Sequence, residues 1–193
     1  MIDSKISFND VFSEATENLI IRESDNNKWW NADGSRKTNY WWKYASKTKQ
    51  GDAGENVVRN IFDLMFSSVY GNNVEVKIVN KGRGEYDVSV FISSTNKTIK
   101  FEVKTATTDT SDSYQFNGLK KDIGYDYAFL LAVSPEDFYF KIESNQYLSD
   151  NMTTLMSKDV DGSFKYTLSQ KKVIFLTPEN LYEELNMYAL LNK

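Results

Sequence analysis

The residues from Tyr125 to Val133 form an apolar run that only Asp126 interrupts. A nearly continuous run of this kind is typical of a strand that other layers cover on both faces, as in the middle of an α/β sheet. The chain has 193 residues, enough for one well-buried domain and few for two. We therefore expect one α/β domain with this strand near its centre.

The spacing of apolar residues changes upstream of this run. Helical spacing predicts a helix from Gly51 that ends at Gly71-Asn72-Asn73. Alternating apolar and polar residues then predict an antiparallel meander of three strands joined by short polar turns. These strands are expected at Val74–Asn80, Tyr86–Ile92 and Thr98–Thr105.

The flanking regions complete the expected fold, a central mixed β-sheet flanked by α-helices. Residues 1–50 form an N-terminal helical and aromatic-basic segment, residues 51–143 the core, and residues 144–193 the C-terminal elements. The additional elements predicted are a helix around Val11–Ile21, a loop with short helical pieces over residues 26–50, a helical segment at Gln115–Gly124, strands at Phe138–Ile142, Phe164–Leu168 and Val173–Leu176, a helix near Gln146–Met156 and a helix after Pro178.

The chain contains neither histidine nor cysteine. This excludes Ser-His-Asp hydrolases, metal sites with histidine or cysteine ligands, thiol nucleophiles and nucleases that use histidine as a general base. Any acid–base or metal chemistry must therefore depend on carboxylates, lysine, tyrosine or bound water. The chain also lacks a run of about 18 apolar residues and an opening signal segment, so the cytoplasm is the expected location and no membrane partner is expected.

The net charge of −4 argues mildly against a nucleic-acid-binding protein, but the charge is unevenly distributed. Between residues 28 and 50 one acid, Asp33, is accompanied by six basic residues: Lys28, Arg36, Lys37, Lys43, Lys47 and Lys49. Two Trp pairs and two tyrosines share this segment. It can contact DNA phosphates and bases, or it can be a packed cap on the core.

Two acids and a lysine come together in the predicted meander. Asp87 lies in one strand, and Glu102 and Lys104 lie in the next. Alternate residues of a strand share a face, so Glu102 and Lys104 point the same way while their neighbours point into the core. The hairpin can then place Asp87 beside Glu102.

This grouping suits phosphodiester hydrolysis. Carboxylate oxygens are hard ligands for Mg²⁺, which keeps several waters and takes one or two protein carboxylates. The metal polarises a phosphoryl oxygen and lowers the pKa of a bound water. A nearby lysine can orient that water, help to deprotonate it or stabilise negative charge. We expect Mn²⁺ to substitute for Mg²⁺.

With these residues the chain resembles the PD-(D/E)XK nuclease superfamily, and within it the type II restriction endonucleases. The family pattern is an acid on one strand and an acid-x-Lys triplet on the next, which Asp87 and Glu102-Val103-Lys104 match. Tyr86 stands where the proline of the motif would be, which leaves the ligand positions intact. The resemblance covers about residues 51–143. It implies a restriction-endonuclease-like fold, with Asp87 and Glu102 as metal ligands and Lys104 acting on the attacking water.

The resemblance implies two further catalytic residues. Many members carry a glutamate on the preceding helix, and Glu55 is positioned to assist the metal directly or through water. A glutamine after the lysine strand is also common, and Gln115 is the candidate. Glu55 has a structural alternative, because an acid in the first turn of a helix is favoured by the helix dipole.

Three features compete with this interpretation. A second acid-x-Lys triplet, Glu75-Val76-Lys77, has no strand-borne acid upstream and is expected to be a solvated strand face. Glu85 would share a face with Asp87 but is expected in the exposed turn. The pair Glu102 and Lys104 can itself be a surface ion pair that contributes little. The loop Thr105–Ser113 can approach DNA or be a plain mobile loop.

The predicted function is Mg²⁺-dependent hydrolysis of DNA, by a type II restriction endonuclease or its cleavage subunit. The expected partners are double-stranded DNA and either a second copy of the chain or a larger DNA-recognition or nicking subunit. One rival is a repair or recombination nuclease, such as a junction resolvase, which would share the site. Another is a non-catalytic DNA- or protein-binding domain whose acids serve only as ion pairs.

Overall fold

The computed structural model describes residues 8–16, 27–79, 86–120, 124–158 and 161–191. Some predicted features lie outside these residues. They are the turn at 81–84, the competing acid Glu85, the second half of the N-terminal helix and residues 121–123 of the segment expected to be helical.

Helices and strands occupy most of the described chain. The helices are α1 (Phe8–Thr16), α2 (Tyr40–Tyr44), α3 (Lys47–Tyr70), α4 (Asn145–Leu155) and α5 (Pro178–Met187). The strands are β1 (Val74–Ile78), β2 (Val88–Ile92), β3 (Lys97–Thr107), β4 (Ser113–Leu119), β5 (Tyr127–Val133), β6 (Phe138–Ser144), β7 (Met156–Lys158), β8 (Phe164–Ser169) and β9 (Ile174–Phe175). In these ranges no helix is both long enough and apolar enough to cross a membrane.

Side-chain caps fix where the helices begin. The Ser46 hydroxyl accepts a hydrogen bond from the Lys49 backbone N–H at 3.3 Å, so α3 begins at Lys47 rather than at the predicted Gly51. Thr177 caps α5 in the same way, with Pro178 in the first turn as predicted. Gly71 ends α3 with a φ of 61°, a conformation that disfavours a side chain.

The predicted central mixed sheet is confirmed. Six strands lie in the order β1-β2-β3-β5-β6-β9 in the described chain, and β3 and β5 are parallel while the other neighbours are antiparallel. The antiparallel meander β1-β2-β3 is as expected. β5 is covered on both faces, because Phe129, Leu131 and Val133 join one apolar core while Ala128, Leu130 and Ala132 join another.

The two faces of the sheet carry different layers. The first core contains the apolar face of α3, with α1 and α5 contributing Val11, Leu181 and Leu185. The second core lies under a small antiparallel sheet, β4-β8-β7, and includes Leu148 and Met152 of α4. The prediction of a helical segment at Gln115–Gly124 was therefore wrong over its first part. Ser113–Leu119 is a strand in which Tyr114 and Phe116 alternate with outward residues, and Leu119 follows an irregularity after Phe116; all three apolar residues are fully buried.

Residues 27–46 of the aromatic segment are a loop with short helical pieces, as predicted, whereas residues 47–50 already belong to α3. The rings of this segment are mostly buried: Trp29, Tyr40, Trp42 and Tyr44 belong to the first core. Trp41 remains 39% exposed. These four rings therefore pack as a cap on the core, because almost none of their surface is exposed.

At Gly54, α3 comes so close to β3 that there is no room for a side chain. A methyl group built on Gly54 would lie 1.8 Å from the Thr105 hydroxyl oxygen and 3.1 Å from its Cβ. Only a glycine lets the helix backbone come this close to the sheet. The first turns of α3 are therefore held against the second half of β3.

We expect Gly54→Ala to destabilise the protein by about 1–3 kcal/mol, because the added methyl must displace Thr105 in a packed core. Threonine is stiff about its first side-chain torsion, so rotation relieves little of the clash. Gly51→Ala is the matched control in the same helix, where an added methyl meets nothing within 4 Å.

The control should be neutral or more stable by up to about 1 kcal/mol, the usual gain for alanine over glycine in a helix. Urea unfolding of both variants measures the difference. Equal stabilities for the two variants would contradict the close packing of α3 on β3.

Candidate active site

The candidate site lies where β3 continues beyond the end of β2. The ladder between them stops at the pair Val88–Phe101, while β3 runs on to Thr107 beside β5. Asp87 is the residue at this boundary. Its backbone N–H donates to the Phe101 carbonyl at 2.9 Å, and its carboxylate accepts from the Val103 N–H at 2.8 Å. The Asp87 side chain thus replaces the missing backbone acceptor and is fixed in position.

Glu102 and Lys104 share the opposite face of β3 from Phe101 and Val103, as the alternation predicted. Their side chains form a short ion pair. The Glu102 side chain is only 9% exposed, while that of Lys104 is 22% exposed. The pair is therefore half inside the protein, unlike an ordinary surface ion pair.

The pKa of Glu102 is raised. Burial is the main cause, the Lys104 ammonium opposes it, and the neighbouring Asp87 carboxylate adds to it. A contribution from Asp87 requires that the two carboxylates lie close together. The structure therefore brings Asp87, Glu102 and Lys104 into one group.

Tyr125 belongs to the same neighbourhood, which the sequence did not indicate. Burial and the negative charge of Glu102 raise the pKa of Tyr125 to about 12. Its ring is fully within the second core, just before β5. The sequence showed it as part of an apolar strand, and its proximity to Glu102 depends on the parallel pairing of β3 with β5.

The number and type of carboxylate ligands in the group suit a hard divalent cation. Asp87 and Glu102 present two adjacent carboxylates whose mutual repulsion a cation would relieve, and Mg²⁺ takes one or two protein carboxylates. In the described residues, no group of three or more acidic side chains is arranged to hold a metal. Any metal held here would keep several waters.

Glu55 is not gathered with these two acids. It is 8% exposed and lies on α3 next to Gly54. Gly54 packs against Thr105, whose side chain is on the face of β3 opposite to that of Glu102. Among the described residues, Glu55 does not form a group of three carboxylates with Asp87 and Glu102 that could hold a metal. Its role as a ligand, directly or through water, stays a prediction.

Gln115 points away from the site. It is exposed on the outer face of β4, because Tyr114 and Phe116 on either side of it point into the second core. Gly118 of β4 lies near Lys104, since a Cβ built on it would be 4.0 Å from the lysine Cε. In this arrangement Gln115 lies outside the group of Asp87, Glu102 and Lys104, and its catalytic role stays a prediction.

The second triplet differs from the first in its exposure. Glu75 and Lys77 pair at 2.7 Å on β1, but their side chains are 55% and 62% exposed. The expectation that they form a solvated strand face is confirmed. Burial therefore separates the two triplets, which look alike in sequence.

The loop after β3 is tied to the basic segment. The Lys28 ammonium donates to the Asp109 carbonyl at 2.9 Å and pairs with Asp112 at 2.5 Å. Lys43 lies 3.5 Å from the Thr108 carbonyl, and burial together with the charge of Lys47 lowers its pKa. Lysines of the segment 28–50 are thus gathered at the carboxyl end of β3.

We expect Asp87→Ala to be less stable than Asp87→Asn by about 1–2 kcal/mol, because alanine leaves the Val103 N–H without an acceptor. Both substitutions remove the same negative charge, so their difference isolates the hydrogen bond. Urea unfolding measures it. Equal stabilities would show that the Asp87 side chain does not cap β3.

We expect Glu102→Gln to raise the melting temperature of the protein in EDTA at pH 7. A raised pKa in the fold means that stability falls as pH rises from the ordinary glutamate value through the folded value. The difference from the wild type should therefore be largest at neutral pH and shrink towards the ordinary value of 4.5. Glu75→Gln is the exposed control, and a gain as large there would contradict the effect of burial.

No protein-family model and no curated protein matches the chain. Among solved structures, a bacterial homing endonuclease, I-Ssp6803I, is similar to it with a TM-score of 0.44 and 14% sequence identity. The match covers 75% of this chain and 91% of that chain. A likeness at this level carries no argument about activity, so a functional assignment depends on the chemistry of the site.

Proposed function

We propose that the chain is a Mg²⁺-dependent endonuclease that hydrolyses DNA phosphodiester bonds. The observation that carries the proposal is the grouping of Asp87, Glu102 and Lys104 beside the open edge of β3. Two adjacent carboxylates and a lysine supply metal ligands and a cation with no histidine, and the chain contains none. The order of these residues also resembles the PD-(D/E)XK pattern.

Each residue has a distinct role in this proposal. Asp87 and Glu102 hold the metal, which when bound supplies Lewis acidity and a water of lowered pKa. Lys104 orients the attacking water and stabilises the negative charge that develops on the phosphate. Its ammonium already contacts Glu102, so it stands at the metal ligands before substrate arrives.

Burial gives the site a reason to bind metal. Glu102 is largely removed from water next to a second carboxylate, which disfavours its charged form. A divalent cation would compensate that charge, so metal binding and the ionised state of Glu102 favour each other. This coupling supports metal-dependent hydrolysis over a simple structural ion pair.

We further propose that the chain acts on double-stranded DNA as a restriction endonuclease or as its cleavage subunit. Lys28 and Lys43 bring positive charge to the carboxyl end of β3, about 13 Å along the strand from Lys104, where a neighbouring phosphate of the DNA would compete with their present partners. The net charge of −4 is low for a chain that binds DNA by itself. A second copy or a DNA-recognition subunit would supply the remaining affinity.

Cleavage of supercoiled plasmid DNA tests the proposed activity. We expect nicking or linearisation in Mg²⁺ or Mn²⁺ and none in EDTA. Lys104→Ala should reduce the rate by about 100-fold or more, since it removes a charge that acts on the transition state. Lys77→Ala is the matched control from the exposed triplet and should cleave at the wild-type rate.

Circular dichroism should show that both variants are folded. Wild-type cleavage by Lys104→Ala would refute the assigned role, and failure of Mg²⁺ and Mn²⁺ to bind would refute the enzyme. Assays with candidate partner subunits belong in the same series, because an inactive chain that gains activity with a partner remains a cleavage subunit.

A further inference from the structure

The six-stranded sheet ends at β1, which in the described chain pairs with β2 alone. The Asn73 carbonyl accepts from the chain just after β2 at 2.9 Å, and the Val79 N–H donates to the chain just before β2 at 2.8 Å. Alternate residues of an antiparallel ladder bond to the same neighbour, so the odd-numbered residues of β1 face β2. The backbone groups of Val74, Val76 and Ile78 therefore point away from the sheet, and none of them has a partner among the described residues.

The side chains of β1 divide between its two faces. Val74 and Val76 pack against the first core, on the side of α3, while Ile78 at the end of that row is 37% exposed. Glu75 and Lys77 lie on the other face, where they pair with each other and remain mostly exposed. The edge thus offers an unpaired backbone, an uncovered apolar side chain and two opposite charges.

The order of these five residues is complementary to itself. An antiparallel pair of β1 strands centred on Val76 places Glu75 of each copy opposite Lys77 of the other. It also places the exposed Ile78 opposite Val74. In this register the outward backbone groups of one copy meet the same groups of the other, so each N–H finds a carbonyl. Each charge keeps its neighbour along the strand and gains a second opposite charge across the pair.

The charges also select the partner and the register. Charged residues on an edge strand usually prevent it from pairing with other strands. Sliding the two copies by two residues would place Glu75 opposite Glu75 or Lys77 opposite Lys77, and a parallel pair in register would do both. Like charges directly opposite each other are destabilising. A second copy, antiparallel and centred on Val76, is therefore the partner that β1 fits.

We propose that two copies of the chain pair through β1 to form one continuous sheet. The same surface is used on both copies, as in most symmetric dimers. Each copy keeps its own acidic site, because β2 lies between β1 and β3. A pairing of five residues is a small interface, so we expect a reversible dimer that forms at micromolar concentrations. The inference does not rest on the proposed function, for which it identifies the second copy as a partner.

Sedimentation velocity over a range of protein concentrations, without DNA or metal, tests the pairing. We expect the wild type to pass reversibly from monomer to dimer. Glu75→Lys and Lys77→Glu should each weaken dimerisation by about tenfold, because each places like charges opposite each other on both sides of the two-fold axis. An equimolar mixture of the two variants should dimerise as the wild type does, because every charge then lies opposite its complement again.

Lys171→Glu is the matched control for net charge and should dimerise as the wild type does. Lys171 is exposed in the turn at Gln170–Lys172, just before the strand at the opposite edge of the sheet. Neutral substitutions at β1 remove only exposed ion pairs, which contribute little, so Glu75→Gln and Lys77→Ala keep the dimer. Circular dichroism should show that all the variants are folded, because the substituted side chains are exposed.

Introduced cysteines test the register directly, because the chain contains none of its own. Glu75 and Lys77 of two paired copies would lie about 4.5 Å apart between their Cα atoms, which a disulfide can span. Under oxidising conditions, a mixture of Glu75→Cys and Lys77→Cys should give cross-linked dimers on denaturing gels. Either variant alone should give far fewer, because its two cysteines would be diagonal neighbours roughly 7–8 Å apart.

A wild type that stays monomeric throughout the micromolar range would overturn the inference. Charge variants that dimerise as tightly as the wild type would do the same, as would a mixture of them that stays monomeric, since the dimer would then use another surface. Plasmid cleavage by a monomeric wild type would leave the nuclease assignment in place. A β1 dimer that binds neither Mg²⁺ nor Mn²⁺ would refute the nuclease assignment and leave the pairing in place.

Discussion

The organisation of the site depends on one mismatch in strand length: β3 extends beyond Val88, the first residue of its antiparallel neighbour β2. The first unpaired N–H of β3, that of Val103, needs an acceptor, and the Asp87 carboxylate provides it. Asp87 bonds to Phe101 through its backbone N–H and to Val103 through its carboxylate. Glu102 is the residue between these two, so the Asp87 carboxylate lies next to it. The hydrogen-bond requirement of a strand edge thus brings two negative charges together.

The second layer of the fold determines how strongly these charges act on each other. The small sheet covers the face of β3 that carries Glu102, which removes the carboxylate from water. Charges interact more strongly away from water, so both the repulsion between Asp87 and Glu102 and the attraction between Lys104 and Glu102 increase. Exposed Glu75 and Lys77 have the same sequence pattern without this layer, and they remain an ordinary ion pair.

Local periodicity was enough to predict the long helix, the meander and the buried central strand. Asp87 and the Glu102–Lys104 triplet could be grouped because their proximity follows from a hairpin. The small sheet could not be predicted, because β4 pairs with β8, some 50 residues later in the chain, and Gly118 interrupts its alternation. The outward orientation of Gln115 belongs to the same small sheet, whereas the position of Tyr125 near Glu102 depends on the parallel pairing of β3 with β5. Burial of the aromatic segment was likewise a matter of tertiary contact, since its rings show no period.

The pairing of β4 with β8 has a consequence for how the chain folds. β3 and β4 leave the ribosome before β8 exists, so the acidic face of β3 stays in contact with water while α3 can already pack on its other face. Long-range strand pairing is slow, because the chain must close a large loop before the contacts form. The two cores should therefore form in sequence, with the α3 side first. On this order, we expect the burial of Glu102 to await the pairing of β4 with β8.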